Sequence, residues 1–431
     1  MVKDVILTST SAGGRGDDGP APTPSLRQAS LRELNLAVVC AALFRAEAPL
    51  SRAELAARTG MTRATASRLV DDLLAAGILE ELEATGGRRG RPAVPLRAAA
   101  GTFVGLGLEV NVDYLAGQVV DLRGRTLAER VVPRDVSGAD PASVLADVAR
   151  LGTDLVAAVD GTRLVGTVLA VPGLVDRRSG QLLLAPNLQW RDVDLVAALG
   201  GATVEAFGGT VTVANEAKLA ALAMATAAPG RLGALRTFLY VSAQVGVGAA
   251  AVVDGEVMTG PHGWAGEIGH ISVEPDGPPC RCGARGCLEQ YAGKAAVLER
   301  AGLPLSASPE ELLGRAAHRG PAGDRAARAL DRAGWALGVV LSGAVNLLDI
   351  DQIVLGGELA PLTARLRPRL EAELHTRVLA SAWASMSVTS APAGPAPAAR
   401  GAALRAVSAV LREPARWVPE RGAQTRQHPV R

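Results

Sequence analysis

The sequence predicts an α/β protein in which a small N-terminal domain, made of helices and one β-hairpin, precedes a larger α/β domain. From Phe103 onward, strand-like segments alternate with alanine-rich helical segments, an order typical of α/β folds. Between Leu31 and Gly77 the apolar spacing is helical, and residues 78–96 have the pattern of a hairpin. A chain of 431 residues is also too long for a single core, which favours several domains.

The composition is that of an ordinary soluble globular protein, with 48% hydrophobic and 20% charged residues. A formal net charge of +2 means that any basic surface has to be local. No apolar run approaches the roughly 20 residues of a membrane span, and residues 1–24 lack the pattern of a secretory signal. We therefore expect a cytoplasmic protein with no membrane partner. In that reducing compartment its four cysteines favour metal binding or chemistry over disulfides.

Four regions are expected along the chain. Residues 1–24 are predicted to be a disordered segment, 25–97 a winged helix-turn-helix domain, 98–412 the α/β domain and 413–431 a loose tail. The predicted strands of the α/β domain are Phe103–Leu108, Gly117–Asp121, Leu164–Val171, Phe238–Val241, Gly248–Val253 and Ile353–Leu355. Its clearest predicted helices are Ala142–Ala158 and Asn215–Ala227.

Two short helices joined by a glycine turn form the candidate DNA-binding motif. Ser51 and Glu54 have the spacing of a capping box, Gly60 suits a left-handed helix end, and Thr62 caps the second helix. The apolar residues of that second helix share one face: Ala66, Leu69, Val70, Leu73 and Leu74. Its other face carries the candidate DNA contacts Arg63, Thr65, Ser67 and Arg68. This arrangement is typical of a helix-turn-helix that binds double-stranded DNA.

The hairpin that follows supplies a candidate wing. Its tip carries Arg88, Arg89 and Arg91 around Gly90, and arginines in such a position can reach the minor groove or backbone phosphates. The alternative is a helical protein-interaction domain with a solvated basic loop. The basic wing favours the DNA-binding interpretation over this alternative.

A second motif predicts a metal site. His270, Cys280, Cys282 and Cys287 offer one imidazole and three thiolates, a closed tetrahedral set that favours a structural Zn²⁺ ion. Gly283 and Gly286 would permit the tight turns that four ligands around one ion require. The alternative to a metal site is that the three cysteines are unrelated buried thiols. Cys40 lies in an apolar helix and is expected to be a core residue.

The zinc motif also carries a family resemblance. Residues Ala265-Gly-Glu-Ile-Gly-His270, Cys280-Arg-Cys-Gly-Ala-Arg-Gly-Cys-Leu-Glu289, Ala185-Pro-Asn-Leu-x-Trp190 and Ile353-Val-Leu-Gly-Gly357 resemble the ROK family of repressors, open reading frames and sugar kinases. The resemblance covers about residues 101–411. It implies a two-lobed, actin-like (ribonuclease H-like) fold with a sugar cleft between the lobes, and a homodimer or homotetramer. The added winged helix resembles the repressor branch.

The resemblance assigns a candidate sugar-binding set: Asn187, Asn215, Glu216, Glu267, His270 and Glu289. Such side chains suit a ligand rich in hydroxyls, because buried donors and acceptors on both sides then find partners. His270 would bind zinc through one ring nitrogen and a sugar hydroxyl through the other. For Glu267 and Glu289 the alternative is a solvated surface carboxylate.

Three phosphoryl-transfer elements depart from the kinase pattern. The first phosphate motif of the ROK kinases resembles Asp-x-Gly-Gly-Thr, and the matching segment here is Glu109-Val-Asn-Val-Asp113. Their second phosphate motif resembles Gly-Thr-Gly-x-Gly, and the matching segment here is Ser242-Ala-Gln-Val-Gly246. The position of the catalytic Asp is taken by Glu216, which is one methylene longer. Because phosphoryl transfer depends on positioning and charge, we expect sugar binding without catalysis.

The sequence thus predicts a sugar-responsive DNA-binding transcriptional regulator. We expect a repressor that a monosaccharide or its derivative releases from the operator. It predicts no catalytic residues. One alternative is an active ATP-dependent sugar kinase with a DNA-binding domain, since Glu216 keeps a carboxylate. Another is a zinc-stabilised scaffold that binds a second protein, which would not respond to free sugar.

Overall fold

The computed structural model describes residues 28–83, 94–392, 394 and 396–419. The N-terminal domain consists of α1 (Gln28–Phe44), β1 (Leu50–Ser51), α2 (Arg52–Thr59), α3 (Arg63–Ala75), β2 (Leu79–Glu81) and β3 (Pro95–Ala98). Its three strands form an antiparallel sheet in the order β1-β3-β2. The predicted helices and the pairing of the hairpin strands are confirmed, and the predicted disordered segment 1–24 lies outside the described residues.

The local signals at α2 and α3 form as the sequence predicts. The Ser51 backbone donates to Glu54 over 2.8 Å while the Ser51 hydroxyl accepts from the Glu54 amide, which completes the capping box. Gly60 ends α2 with a φ of +69°, in the left-handed region. Thr62 caps α3 by accepting from the Thr65 amide. Both helices therefore start, and α2 also ends, for local reasons.

The first lobe of the α/β domain is built on a five-stranded sheet in the order β11-β7-β4-β5-β6. Its elements are β4 (Phe103–Val110), β5 (Tyr114–Asp121), β6 (Thr126–Pro133), α4 (Pro141–Ala157), β7 (Arg163–Val171), β8 (Leu174–Val175), β9 (Leu182–Ala185), β10 (Trp190–Val193), α5 (Leu195–Leu199), α6 (Gly201–Ala206) and β11 (Val211–Asn215). Strands β8, β9 and β10 form a separate small sheet. Helix α4 packs its apolar face on β4 and β5.

The second lobe has a five-stranded sheet in the order β16-β15-β14-β17-β18. Its elements are α7 (Glu216–Ala225), β12 (Thr226–Ala228), β13 (Arg231–Leu232), β14 (Phe238–Ala243), β15 (Val247–Val253), β16 (Glu256–Val257), α8 (Glu289–Ala292), α9 (Lys294–Ala301), α10 (Pro309–Ala317), α11 (Pro321–Leu348), β17 (Gln352–Gly357), α12 (Leu359–Arg377), β18 (Ser387–Ser390), α13 (Pro397–Val407) and α14 (Ala409–Arg412). Short 3₁₀ turns occupy Ile268–His270 and Pro414–Arg416. All predicted strands are present in one lobe or the other.

Helices α7 and α13 lie between the two sheets and share one core with both. Eight of the 11 residues of α13 are buried, and most residues of the helix are alanine or glycine because it packs tightly on both sides. A side chain at Gly107 of β4 would overlap the Ala399 carbonyl, and one at Gly401 would overlap the Leu219 carbonyl. Small residues on both partners therefore set the spacing between the lobes.

The C-terminal segment corrects one boundary expectation. Residues 413–431 were expected to be a loose tail, but Trp417 and Val418 are buried against the N-terminal domain and the first lobe. The Trp417 ring meets Phe103 edge-on, and the Arg163 guanidinium lies 4.7 Å from its centroid. Aromatic burial and the cation–π contact hold the segment in place. Residues 420–431 lie outside the described part of the chain.

Cys40 is fully buried in the core of the N-terminal domain, as predicted. Within the described residues, no helix combines the length and apolar character needed to cross a bilayer.

We predict that Gly107→Ala destabilises the protein by about 3 kcal/mol, because the new methyl group has no room beside the α13 backbone. Gly314→Ala is the matched control, since its position in α10 has no heavy atom within 4 Å of the added methyl group. That control is expected to be neutral or slightly stabilising. Urea unfolding of both variants measures the difference, and equal midpoints would contradict the packing argument.

Candidate functional site

The cleft between the lobes contains a cavity of about 240 Å³. All six side chains of the predicted sugar-binding set line it: Asn187, Asn215, Glu216, Glu267, His270 and Glu289. The structure therefore brings together residues from distant parts of the sequence, and their contact with a sugar remains a prediction. Asn111, Ser242 and Gln244 line the same cavity.

Hydrogen bonds fix several of these side chains. Asn187 donates to Glu289 over 3.4 Å, and Asn215 donates to both Glu216 (3.1 Å) and the Gly173 carbonyl (3.2 Å). Asn215 also caps α7 by accepting from the Lys218 amide. The cavity wall is thus preorganised before any ligand enters.

Two acidic residues of the cavity have raised pKa values. Burial raises the pKa of Glu216 to about 8, with the charges of Glu267 and Glu109 adding to the effect. Burial also raises the pKa of Glu267, while Lys218 and His270 oppose the rise. A protonated Glu216 can both donate and accept a hydrogen bond, which suits a hydroxyl-rich ligand.

The segments that follow β4 and β14 contact each other across the cleft. The Asn111 amide donates to the Gln244 side-chain oxygen, linking the end of β4 to the turn after β14. Asp113, on the same loop as Asn111, pairs with Lys294 at 3.7 Å. Two side chains longer than the glycines of the kinase pattern therefore fill the space between these loops.

Glu109 accepts hydrogen bonds from two neighbouring groups. Its carboxylate accepts from the Tyr114 hydroxyl over 2.7 Å and from the Ala399 amide at the start of α13 over 3.1 Å. Burial raises its pKa, which these two donors oppose. The residue is committed to holding α13 against the sheet.

The predicted metal ligands form a compact cluster beside the cavity. One ligand atom from each of His270, Cys280, Cys282 and Cys287 lies within 4.8 Å of all the others. The sulfurs of Cys282 and Cys287 are 3.7 Å apart, and Cys280 Sγ is 3.9 Å from His270 Nδ1. Zn–S bonds of about 2.3 Å in a tetrahedron place sulfurs roughly 3.8 Å apart. The cluster therefore has the dimensions and chemistry of a zinc site.

The loop that carries these ligands is held by its glycines and by one carboxylate. A side chain at Gly286 would overlap the Glu274 carbonyl, and Gly283 adopts a φ of +96°. Glu274 accepts from the Tyr291 hydroxyl over 2.6 Å and pairs with Arg332 on α11. The ligand loop is thus braced against the second lobe.

The N-terminal domain exposes the start of α3. Arg63 and Arg68 are exposed, and Thr65 and Ser67 are half-buried, on the side away from the core residues Ala66, Leu69, Val70 and Leu73. The Thr65 hydroxyl lies 2.9 Å from that of Thr62, so part of its bonding capacity serves the helix cap. DNA contact by this face remains a prediction.

Acidic residues near α3 have basic partners. Asp72 pairs with Arg32 at 3.0 Å, and Arg52 pairs with Asp71 and with Glu81. These pairs reduce the negative field that would oppose a phosphate backbone. The wing arginines Arg88, Arg89 and Arg91 lie outside the described residues.

Sequence reasoning missed two features of the cleft. It noted Asn111 and Gln244 only as departures from kinases, since their hydrogen bond depends on how the lobes meet. It also missed Lys218, which is buried and donates to the Gly263 carbonyl over 2.8 Å. The available signal was a lone lysine within an alanine- and leucine-rich helix.

Two family models match separate parts of the chain. The ROK family model matches residues 105–408, and a MarR family model matches residues 33–90. The xylose repressor of Bacillus subtilis is 28% identical over 340 residues, covering 77% of this chain and 84% of that protein. The DNA-binding transcriptional dual regulator NagC of Escherichia coli is 27% identical over 366 residues, covering 81% and 86%.

Among solved structures, a ROK family transcriptional regulator described as a homolog of the E. coli MLC protein superposes with a TM-score of 0.70 at 25% identity. The superposition covers 88% of this chain and 98% of that one. The predicted two-lobed fold with an N-terminal winged helix is confirmed. The chain belongs to the ROK family.

Proposed function

We propose that this protein is a sugar-responsive DNA-binding transcriptional regulator, acting as a repressor that a monosaccharide or its derivative releases from DNA. One observation carries the proposal: a single chain joins a cavity lined by the six predicted sugar contacts to a helix-turn-helix with an exposed α3. The repressor and regulator names of its relatives support the same function. Double-stranded operator DNA and a sugar are its partners, and the cytoplasm is where both are found.

The fold offers a path between the two sites. Sugar in the cleft contacts residues of both lobes, and α13 packs against both sheets. Helix α13 continues into α14 and Trp417, which pack against α1. A sugar that favours closed lobes would therefore shift the N-terminal domain. In a homodimer or homotetramer this shift changes the spacing of two winged helices, so that both half-sites are no longer engaged.

The cluster of His270, Cys280, Cys282 and Cys287 is proposed to hold a structural Zn²⁺ ion. Four protein ligands leave no open coordination position, so the ion supplies rigidity instead of catalysis. His270 faces the cluster through Nδ1 and also lines the cavity. Its remaining ring nitrogen is then free to bond a sugar hydroxyl.

We predict about one zinc ion per chain in the purified protein, and little or none in Cys287→Ser, because the site loses a buried thiolate. Cys40→Ala is the matched control, since Cys40 is a buried cysteine in another domain. Metal analysis by atomic absorption reads out all three proteins. Equal zinc in Cys287→Ser and the control would contradict the assignment.

The enzyme alternative is not favoured by the cleft. Asn111 and Gln244 bond to each other between the two phosphate loops, and Glu109 is committed to Tyr114 and Ala399. We therefore propose a regulator without kinase activity. ATP turnover with a hexose or pentose above about 1 per second would overturn this, since that is the lower range of kinases.

Two variants should separate the two binding functions. Glu267→Ala is expected to weaken sugar binding at least tenfold with unchanged DNA affinity, because it removes one wall of the cavity only. Arg63→Ala should weaken DNA binding by about 1–3 kcal/mol with unchanged sugar affinity.

The control for Arg63→Ala is Arg319→Ala, an exposed arginine between α10 and α11. Calorimetry with a monosaccharide panel and anisotropy with operator DNA provide the two readouts. If Glu267→Ala abolished both activities in a folded protein, the separate sensing site would be wrong.

A further inference from the structure

A second cavity, of about 440 Å³, lies on the other side of Asn215 from the sugar cavity. It is bounded by the end of β11, α7, β16 and the C-terminal helices α13 and α14. Asn215 lines both cavities, so the two are neighbours. We call this second cavity the basic groove.

Four cationic side chains line the basic groove: Arg177, Lys218, Arg405 and Arg412. One carboxylate, Glu256, lines it with them. Within the described part of the chain, none of the three arginines has a carboxylate within 4.0 Å of its guanidinium. This contrasts with Arg32, Arg52 and Arg125, which each pair with an acid.

The arginines of the groove are close enough to repel one another. Desolvation lowers the pKa of Arg405, and the charges of Arg412 and Arg177 lower it further. All three arginines are exposed, so water solvates their charges, and an anion held between them would offset their mutual repulsion.

Lys218 forms the inner end of the groove. The residue is 7% exposed, and its ammonium donates one hydrogen bond, to the Gly263 carbonyl over 2.8 Å. An ammonium has three donors, so two remain for a ligand. The carboxylates that act on its charge, Glu216 and Glu267, line the sugar cavity. Lys218 therefore lies between the two cavities.

We propose that the basic groove binds a small phosphorylated metabolite, at a site separate from the sugar cavity. Guanidinium forks match phosphate oxygens geometrically, and the volume falls within the usual range for a small-molecule ligand. The concave shape favours a small anion over the backbone of duplex DNA. Ser408, which joins α13 to α14, also lines the groove, and its hydroxyl donates to the Leu404 carbonyl over 2.7 Å.

The position of the groove connects a bound anion to the N-terminal domain. Arg405 and Arg412 lie on the helices that lead to Trp417 and the N-terminal domain, whereas Lys218 lies on α7. An anion bridging them would tie the C-terminal helices to the body of the protein. An effect on DNA affinity rests on the proposed function, but binding of the anion does not.

The test is calorimetry on the full chain with two probes, inorganic pyrophosphate and fructose 1,6-bisphosphate, at constant ionic strength. Arg405→Gln and Arg412→Gln should each weaken binding at least about tenfold. Arg178→Gln is the matched control, an exposed arginine next to Arg177 that does not line the groove, and it should bind as the wild type does. Asn187→Ala should also retain both probes, because its neutral side chain lines the sugar cavity and does not line the groove.

Three results would overturn the proposal. The first is that neither probe binds the wild type, and the second is that Arg405→Gln and Arg412→Gln bind the probes as the wild type does. The third is loss of both probes in Asn187→Ala, which would place them in the sugar cavity. If the two groove variants lowered DNA affinity while neither probe bound, the arginines would belong to a DNA-contacting surface. Because calorimetry needs no operator, these outcomes are independent of the regulator function.

Discussion

The contact between α13 and the first-lobe sheet is the constraint on which the rest of the molecule depends. Gly105 and Gly107 on β4 leave room for the α13 backbone, and the buried Glu109 carboxylate accepts from the Ala399 amide. Glycine and alanine are required here because helix and sheet approach more closely than larger side chains allow. The same helix touches α7 and leads to the segment that packs against α1. One element thus packs against both sheets and leads to the segment that contacts the N-terminal domain.

This packing explains how a kinase-like cleft can serve a regulator. In the ROK kinases that the sequence resembles, the strand end and the turn opposite it have small residues that approach phosphate. Here Asn111 and Gln244 bond to each other, and Glu109 anchors a helix. The six predicted sugar contacts meanwhile remain grouped around one cavity beside a braced zinc-type loop. In the function that we propose, the polar groups of the cleft serve its shape and the binding of a sugar.

Local sequence signals predicted what depends on neighbouring residues. The capping box at Ser51, the Gly60 helix end and the buried strands at β4, β7 and β14 appear where the sequence placed them. The His270 and cysteine spacing predicted a cluster that the structure assembles. Family motifs predicted which residues would share the cleft.

Features that depend on tertiary contact could not be predicted in this way. The hydrogen bond between Asn111 and Gln244 joins residues 133 positions apart. The arginines of the basic groove come from the turn after β8 and from two C-terminal helices. Trp417 was assigned to a loose tail because mixed charge and proline dominate its surroundings, yet its ring is buried against Phe103. Burial of this one aromatic ring stabilises the docked segment by more than its polar neighbours destabilise it.

The most direct test of the central claim is fluorescence anisotropy of the zinc-loaded protein on DNA from upstream of its own and neighbouring genes, with and without each of a panel of monosaccharides. The account predicts tight, salt-dependent binding that one sugar, or a derivative of it, releases. Absence of specific DNA binding would contradict it outright. Specific binding that neither any monosaccharide nor its phosphorylated derivative changes would contradict the sensing role of the cleft.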